Sequence, residues 1–221
     1  MPNQLPPTAT APELRSSVIR YPWTSREANA VRKVLLEGGV MTYPTETAYA
    51  LGGNALLPDV AEAVYRLKGR EADKALLVLI GAERGLQGLA REVSESARRL
   101  MARFWPGPLT LVFHAADACP PHLPDARATI ALRWSPHPLL ADLHRLAPVP
   151  LIGTSANRSG TPSLHSCPAV LQAFPQGLTL ALDGGPTPGG APSTLVDTTC
   201  DPPRILRPGV VTAAEIAAVL G

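Results

Sequence analysis

The residues whose types suit chemistry cluster in the stretch 151–163. Leu151 and Ile152 suit a short buried strand, and Gly153 breaks it. The chain then runs Thr154-Ser155-Ala156-Asn157-Arg158-Ser159-Gly160-Thr161-Pro162-Ser163. Hydroxyls, one amide, one guanidinium and unhindered backbone N–H groups suit an anion such as a phosphate. A strand-to-loop position is also where open α/β sheets hold ligands. The same composition makes an ordinary surface turn.

A second set is cationic. Arg66, Lys68, Arg70 and Lys74 put four cations in nine residues, with Glu71 and Asp73 beside them. A triphosphate needs such groups, Arg for two-point contacts and Lys as a point charge. Cations also gather at helix C-termini to meet the macrodipole, and Lys68-Gly69-Arg70 has the look of one. Arg133 closes an apolar strand, where alternation sets Thr129, Ala131 and Arg133 on one face. A cation there needs an anion or an exit to water, so a ligand carboxylate and a structural Asp are both candidates. Arg207, in Leu206-Arg207-Pro208-Gly209, poses the same question.

Several chemistries are not signalled. The Gly-rich run 184–190 lacks the Lys-Ser/Thr of a P-loop, and no G-x-G-x-x-G follows a strand. His114, His122, His137, His144 and His165 show no metal-ligand spacing and read as surface or loop residues, so no protein metal site is expected. Ser155 is not in a G-x-S-x-G elbow. A net charge of +2 with 5% aromatics argues against a bulk polyanion binder or a base-stacking platform. Cys119, Cys167 and Cys200 are odd in number and unpaired by spacing, so a reducing cytoplasm is expected. No signal peptide or membrane span is evident.

The elements that must position these residues follow from periodicity. Residues 1–15 read as a mobile arm and 16–221 as one domain. Helices are predicted over 24–37 (Thr24 and Glu27 at capping-box spacing), from Asp59 as cap to Lys68, and over 94–104, 138–146 and 167–174. A last helix opens at Thr212, with Glu215 three residues on. Strands are predicted over 40–43 (broken by Pro44), 75–80, 109–113, 129–134, 178–182, 193–196 and 204–206, and at Leu151. The alternation argues for α/β layers around one sheet.

Taken together, five motifs in order carry a resemblance. They are Tyr43-Pro44-Thr45-Glu46-Thr47-Ala48-Tyr49-Ala50-Leu51-Gly52, Lys68-Gly69-Arg70, Phe104-Trp105-Pro106-Gly107-Pro108-Leu109-Thr110, Thr154-Ser155-Ala156-Asn157 and Leu206-Arg207-Pro208-Gly209. From residue 24 onward the chain resembles the YrdC-type L-threonylcarbamoyladenylate synthases, in their short, single-domain form. The resemblance implies an α/β fold with a twisted mixed parallel/antiparallel sheet curled around a concave, positively lined cavity. It implies a nucleotidyltransferase that joins L-threonine, bicarbonate and ATP into threonylcarbamoyl-AMP and releases pyrophosphate, with Mg2+ on the triphosphate. Downstream partners would transfer the threonylcarbamoyl group to tRNA, and a weak tRNA contact would fit.

Residue by residue, the resemblance implies a catalytic tetrad of Lys68, Arg70, Ser155 and Asn157. It implies ATP contacts from Arg70, Lys74, Thr129, Ser155, Ser163 and Arg207. Thr47, Arg133, Gly153 and Ser193 would form the threonine pocket, with Arg133 on the substrate carboxylate. Ala50 for a usual Gly, Glu71 for a frequent Pro, Gly52-Gly53-Asn54 and Lys74-Ala75 depart from the pattern, and the last weakens Lys74 as a ligand. A non-catalytic RNA-binding paralogue of the same fold, and an assembly partner of the tRNA-modifying machinery, are the alternatives.

Overall fold

A computed structural model describes residues 17–69 and 75–221. The expected arm, Arg70 and Lys74 lie outside the described residues. In chain order the elements are β1 (Ser17–Arg20), α1 (Ser25–Glu37), β2 (Met41–Pro44), β3 (Tyr49–Gly52), α2 (Pro58–Lys68) and β4 (Leu77–Leu79). After a 3-10 turn (Glu83–Leu86) come α3 (Glu95–Phe104), β5 (Leu109–His114), β6 (Thr129–Arg133), α4 (Pro138–Leu146), β7 (Leu151–Ile152) and β8 (Thr154–Ser155). The chain closes with α5 (Cys167–Ala173), β9 (Leu180–Asp183), β10 (Thr194–Asp197), β11 (Arg204–Arg207) and α6 (Ala213–Leu220).

The helices form where local chemistry favours them. Thr24 accepts the Glu27 N–H at 3.3 Å while the Glu27 carboxylate takes the Thr24 N–H at 2.8 Å, the reciprocal capping box expected of α1. Thr212 and Glu215 repeat it at α6. Asp59 does not cap α2; Leu57 holds that position, and Pro58, its φ pre-set, opens the helix. Asp59 sits instead in the first turn, where a carboxylate meets the positive end of the dipole. Pro44 does not break β2 but ends it, paired with Tyr49.

Two mixed sheets form where one was expected. The first runs β1-β9-β2-β3-β8 and the second β11-β10-β5-β6-β4-β7. They join at Gly153, which carries the chain from β7 in one sheet to β8 in the other. The junction is too tight for side chains. A Cβ on Gly52 would lie 1.5 Å from the Ile152 carbonyl, and one on Gly153 would lie 2.5 Å from Leu79 Cδ1. The Tyr43 hydroxyl donates to that same Ile152 carbonyl. Tyr43 is fully buried, and burial pushes its phenol pKa up, so it stays a protonated donor.

Two cores form, and residues of both sheets enter each. Val31, Leu35, Tyr43, Leu139, Leu143 and Leu182 pack the first sheet against α1 and α4. Val64, Leu100, Leu111, Phe113, Ile130 and Leu132 belong to the larger core, which takes in α2 and α3.

Candidate functional site

A cavity of about 450 Å³ opens where the two sheets meet. β3 and β8 contribute Tyr49, Ala50 and Ser155 from the first sheet, and β4, β6 and β10 contribute Leu77, Ala131, Arg133 and Leu195 from the second. Alternation along β6 works as predicted near this end: Ala131 and Arg133 line the cavity while Ile130 and Leu132 enter the core. Thr129 has the same parity but stands at the far end of β6 and is outside the lining. Its N–H is taken by Asp125 Oδ1 at 2.8 Å.

The corner around Ser155 is held from behind. Lys68, the last residue of α2, is only 4% exposed. Its ammonium donates to the Ser155 carbonyl, to the Asn157 carbonyl at 2.8 Å and to Asn157 Oδ1 at 3.3 Å. Ser155 Oγ donates to the same Oδ1 at 2.6 Å. The Asn157 amide then donates to the Arg158 and Thr161 carbonyls, at 3.0 and 2.5 Å. Lys68, Ser155 and Asn157 therefore meet. Ser155 lines the cavity, and Lys68 and Asn157 stand behind it. Thr154 and Ser155 are not loop: they pair with β3, and the turn starts at Ala156.

Arg133 is also 4% exposed. Its Nη2 lies 2.5 Å from Glu46 Oε1 and donates to Thr47 Oγ1 at 3.2 Å. The structural partner is thus Glu46 rather than an Asp. Ser135 donates to Glu46 Oε2. Arg133 Nε is buried with no hydrogen-bond partner among the described residues.

Across the cavity Arg207 Nη2 donates to the Ser193 carbonyl at 2.8 Å and to Ser193 Oγ at 3.1 Å. Ser193 and Thr110 share a hydrogen bond of 2.9 Å. Gly153 and Ser163, also expected, lie in the lining, whereas Lys68, Asn157 and Thr129 do not.

No local pattern marked the pairing of Glu46 with Ser135, which lie 89 residues apart. The five histidines divide. His165 lines the cavity and shares a 2.9 Å hydrogen bond with Thr187 Oγ1. His137 caps α4, and burial holds it below the usual histidine range. His144 lies within α4, and burial lowers it to about 4. Burial, helped by the Asp183 charge, pushes the Cys167 thiol up to about 11, so it is no nucleophile.

Among the described residues no cluster of His, Cys, Asp and Glu could hold a metal, and no helix is long and apolar enough to cross a membrane. A second hollow of about 540 Å³, lined by Ile80, Gly81, Val149 and Pro150 among others, lies at the opposite ends of β4 and β7 and holds none of the expected residues. The main cavity thus offers a buried guanidinium, a row of hydroxyls and small residues. That set suits a small carboxylate beside a phosphate-bearing group.

Residues 33–209 match the family model Sua5/YciO/YrdC, described as "Telomere recombination". The chain is 40% identical over 185 residues to the threonylcarbamoyl-AMP synthase of Pyrococcus abyssi, covering 84% of this chain and 54% of that one. It is 37% identical over 163 residues to the threonylcarbamoyl-AMP synthase of Thiobacillus denitrificans, covering 74% and 86%. The crystal structure of P. abyssi Sua5 complexed with L-threonine superposes with a TM-score of 0.86 at 36% identity, covering 93% of this chain and 60% of that one. The chain spans about half the length of the first curated relatives it matches.

Proposed function

The chain belongs to the Sua5/YciO/YrdC family, and from that premise we propose that it makes threonylcarbamoyl-AMP and pyrophosphate from L-threonine, bicarbonate and ATP. The observation that carries the reading is Arg133: a cavity-lining guanidinium, nearly sealed from water, with one donor unmet and a threonine hydroxyl beside it. A buried guanidinium pairs best with a planar carboxylate, and L-threonine supplies one.

The reaction asks for positioning and charge neutralisation. Threonine's neutral amine and bicarbonate give a carbamate and water. A carbamate oxygen then attacks the α-phosphorus of ATP, and pyrophosphate leaves. Holding the three reactants in one cavity makes the attack effectively unimolecular. Thr47, Arg133, Gly153 and Ser193 would hold threonine. Ser155, on the corner fixed by Lys68 and Asn157, would meet the α-phosphate, with Ser163 and Arg207 toward the nucleotide. Arg70, Lys74 and Thr129 remain assignments from the resemblance alone.

Magnesium would arrive as part of the substrate MgATP, held through phosphate and water; among the described residues no carboxylate lines the cavity to bind it directly. The product is a mixed anhydride that water destroys. It would pass in the cytoplasm to proteins that transfer the group to tRNA, with any tRNA contact weak.

The reading is tested by supplying MgATP, L-threonine and 13C-bicarbonate and weighing the nucleotide products. A labelled threonylcarbamoyl-AMP is expected. AMP alone, or an adenylate without the label, would contradict it.

A further inference from the structure

Glu46 has no part in the pocket that the resemblance implied. It is absent from the cavity lining, whereas its neighbours Thr45 and Thr47 belong to it. Its carboxylate is nonetheless tied at both oxygens. Oε2 accepts the Ser135 hydroxyl, and Oε1 lies 2.5 Å from Arg133 Nη2. The second contact is an ion pair without hydrogen-bond alignment, since Glu46 Oε1 has no hydrogen-bond partner. Thr47 Oγ1 engages that same Nη2. One nitrogen of the guanidinium is therefore anchored from behind, while Nε, also buried, is unmet.

A guanidinium carries five donors in a rigid fork. A ligand carboxylate uses two adjacent ones, and gains from both only while the fork is kept from rotating. We infer that Glu46 is a positioning residue for the substrate carboxylate: braced by Ser135, it fixes the Arg133 guanidinium through Nη2 against rotation, with Nε left as the unmet donor. Glu46 also neutralises a cation that would otherwise be buried unpaired before substrate arrives. The inference rests on reading this cavity as a threonine site.

The test compares binding of L-threonine and L-threonine amide, which lacks the carboxylate charge, by calorimetry on the full chain. Wild type is expected to prefer the acid. Glu46→Gln keeps the shape and the acceptor for Ser135 but removes the charge. It is expected to reduce the preference for acid over amide by about tenfold or more, the scale of losing a charge-assisted partner. Ser135→Ala, which loosens Glu46 without touching Arg133, is expected to act in the same direction by a few-fold; it decides the matter should Glu46→Gln fail to fold. Equal weakening of both ligands would make Glu46 a merely structural residue and overturn the inference. Unchanged or tighter threonine binding would overturn it too, the latter because Glu46 would then be competing with the substrate. Failure of the wild type to bind threonine would sink the proposed function itself.

Discussion

Lys68 ends a helix, where its charge suits the macrodipole, yet its ammonium is buried against three oxygens of Ser155 and Asn157. Charge placement alone left a phosphate role and a helix-end role open. The contacts that decide its surroundings span 87 and 89 residues, which no local pattern encodes. Lys68→Met strands those part-buried acceptors, which costs ~1–3 kcal/mol each in the worst case. The expected result is a fold that survives with a lower denaturation midpoint, and pyrophosphate release reduced far more than stability. Arg133 was legible as a cation needing an anion, but not its pairing with Glu46. Arg133→Ala is expected to weaken threonine binding much more than ATP binding; titrating each ligand separately checks this, and equal losses would contradict the assignment.

At the scale of elements, the sequence spoke clearly wherever the determinant was local. The capping boxes at Thr24 and Thr212 were read from spacing and stand in the structure. Ser94 Oγ accepts the Ala97 N–H at 3.2 Å. Ser94→Ala should lower stability by about 1 kcal/mol, a fall of about 2–4 °C in a domain of this size, measurable by thermal denaturation. β3 escaped notice because all four of its residues are buried, so no alternation sets it apart from the turn before it. β1 is four residues beside a proline, and β8 is two residues of turn-like type. The break into two sheets was also hidden, since it hangs on the crossing of backbones at Gly52 and Gly153. Gly153→Ala would drive a methyl into the buried Leu79. Overpacking of this kind costs ~1–3 kcal/mol, and here it should also weaken threonine binding because the strain falls on the cavity wall.

For the whole molecule, motifs scattered from Thr47 to Arg207 close on one cavity, and the larger hollow elsewhere holds none of them. Their order along the chain was legible, whereas their meeting depends on the sheets. The Trp105 motif serves the frame instead: its indole N–H donates to the Leu109 carbonyl at 2.7 Å, and the Gly107 N–H to Trp134 at 2.8 Å. Stability should depend on pH through His144. Burial lowers it to about 4, against 6.5 for a free histidine. Between those values the unfolded chain binds the extra proton, so stability rises with pH. The contribution is full above about 6.5 and is lost as pH falls through about 4, amounting to about 3 kcal/mol at most. Denaturant midpoints across that window should fall more steeply for the wild type than for His144→Gln. The most direct test of the central claim is pyrophosphate release from MgATP with L-threonine and bicarbonate, each omitted in turn. Release that requires both is predicted. Release with neither, or no release while ATP remains bound, would contradict it.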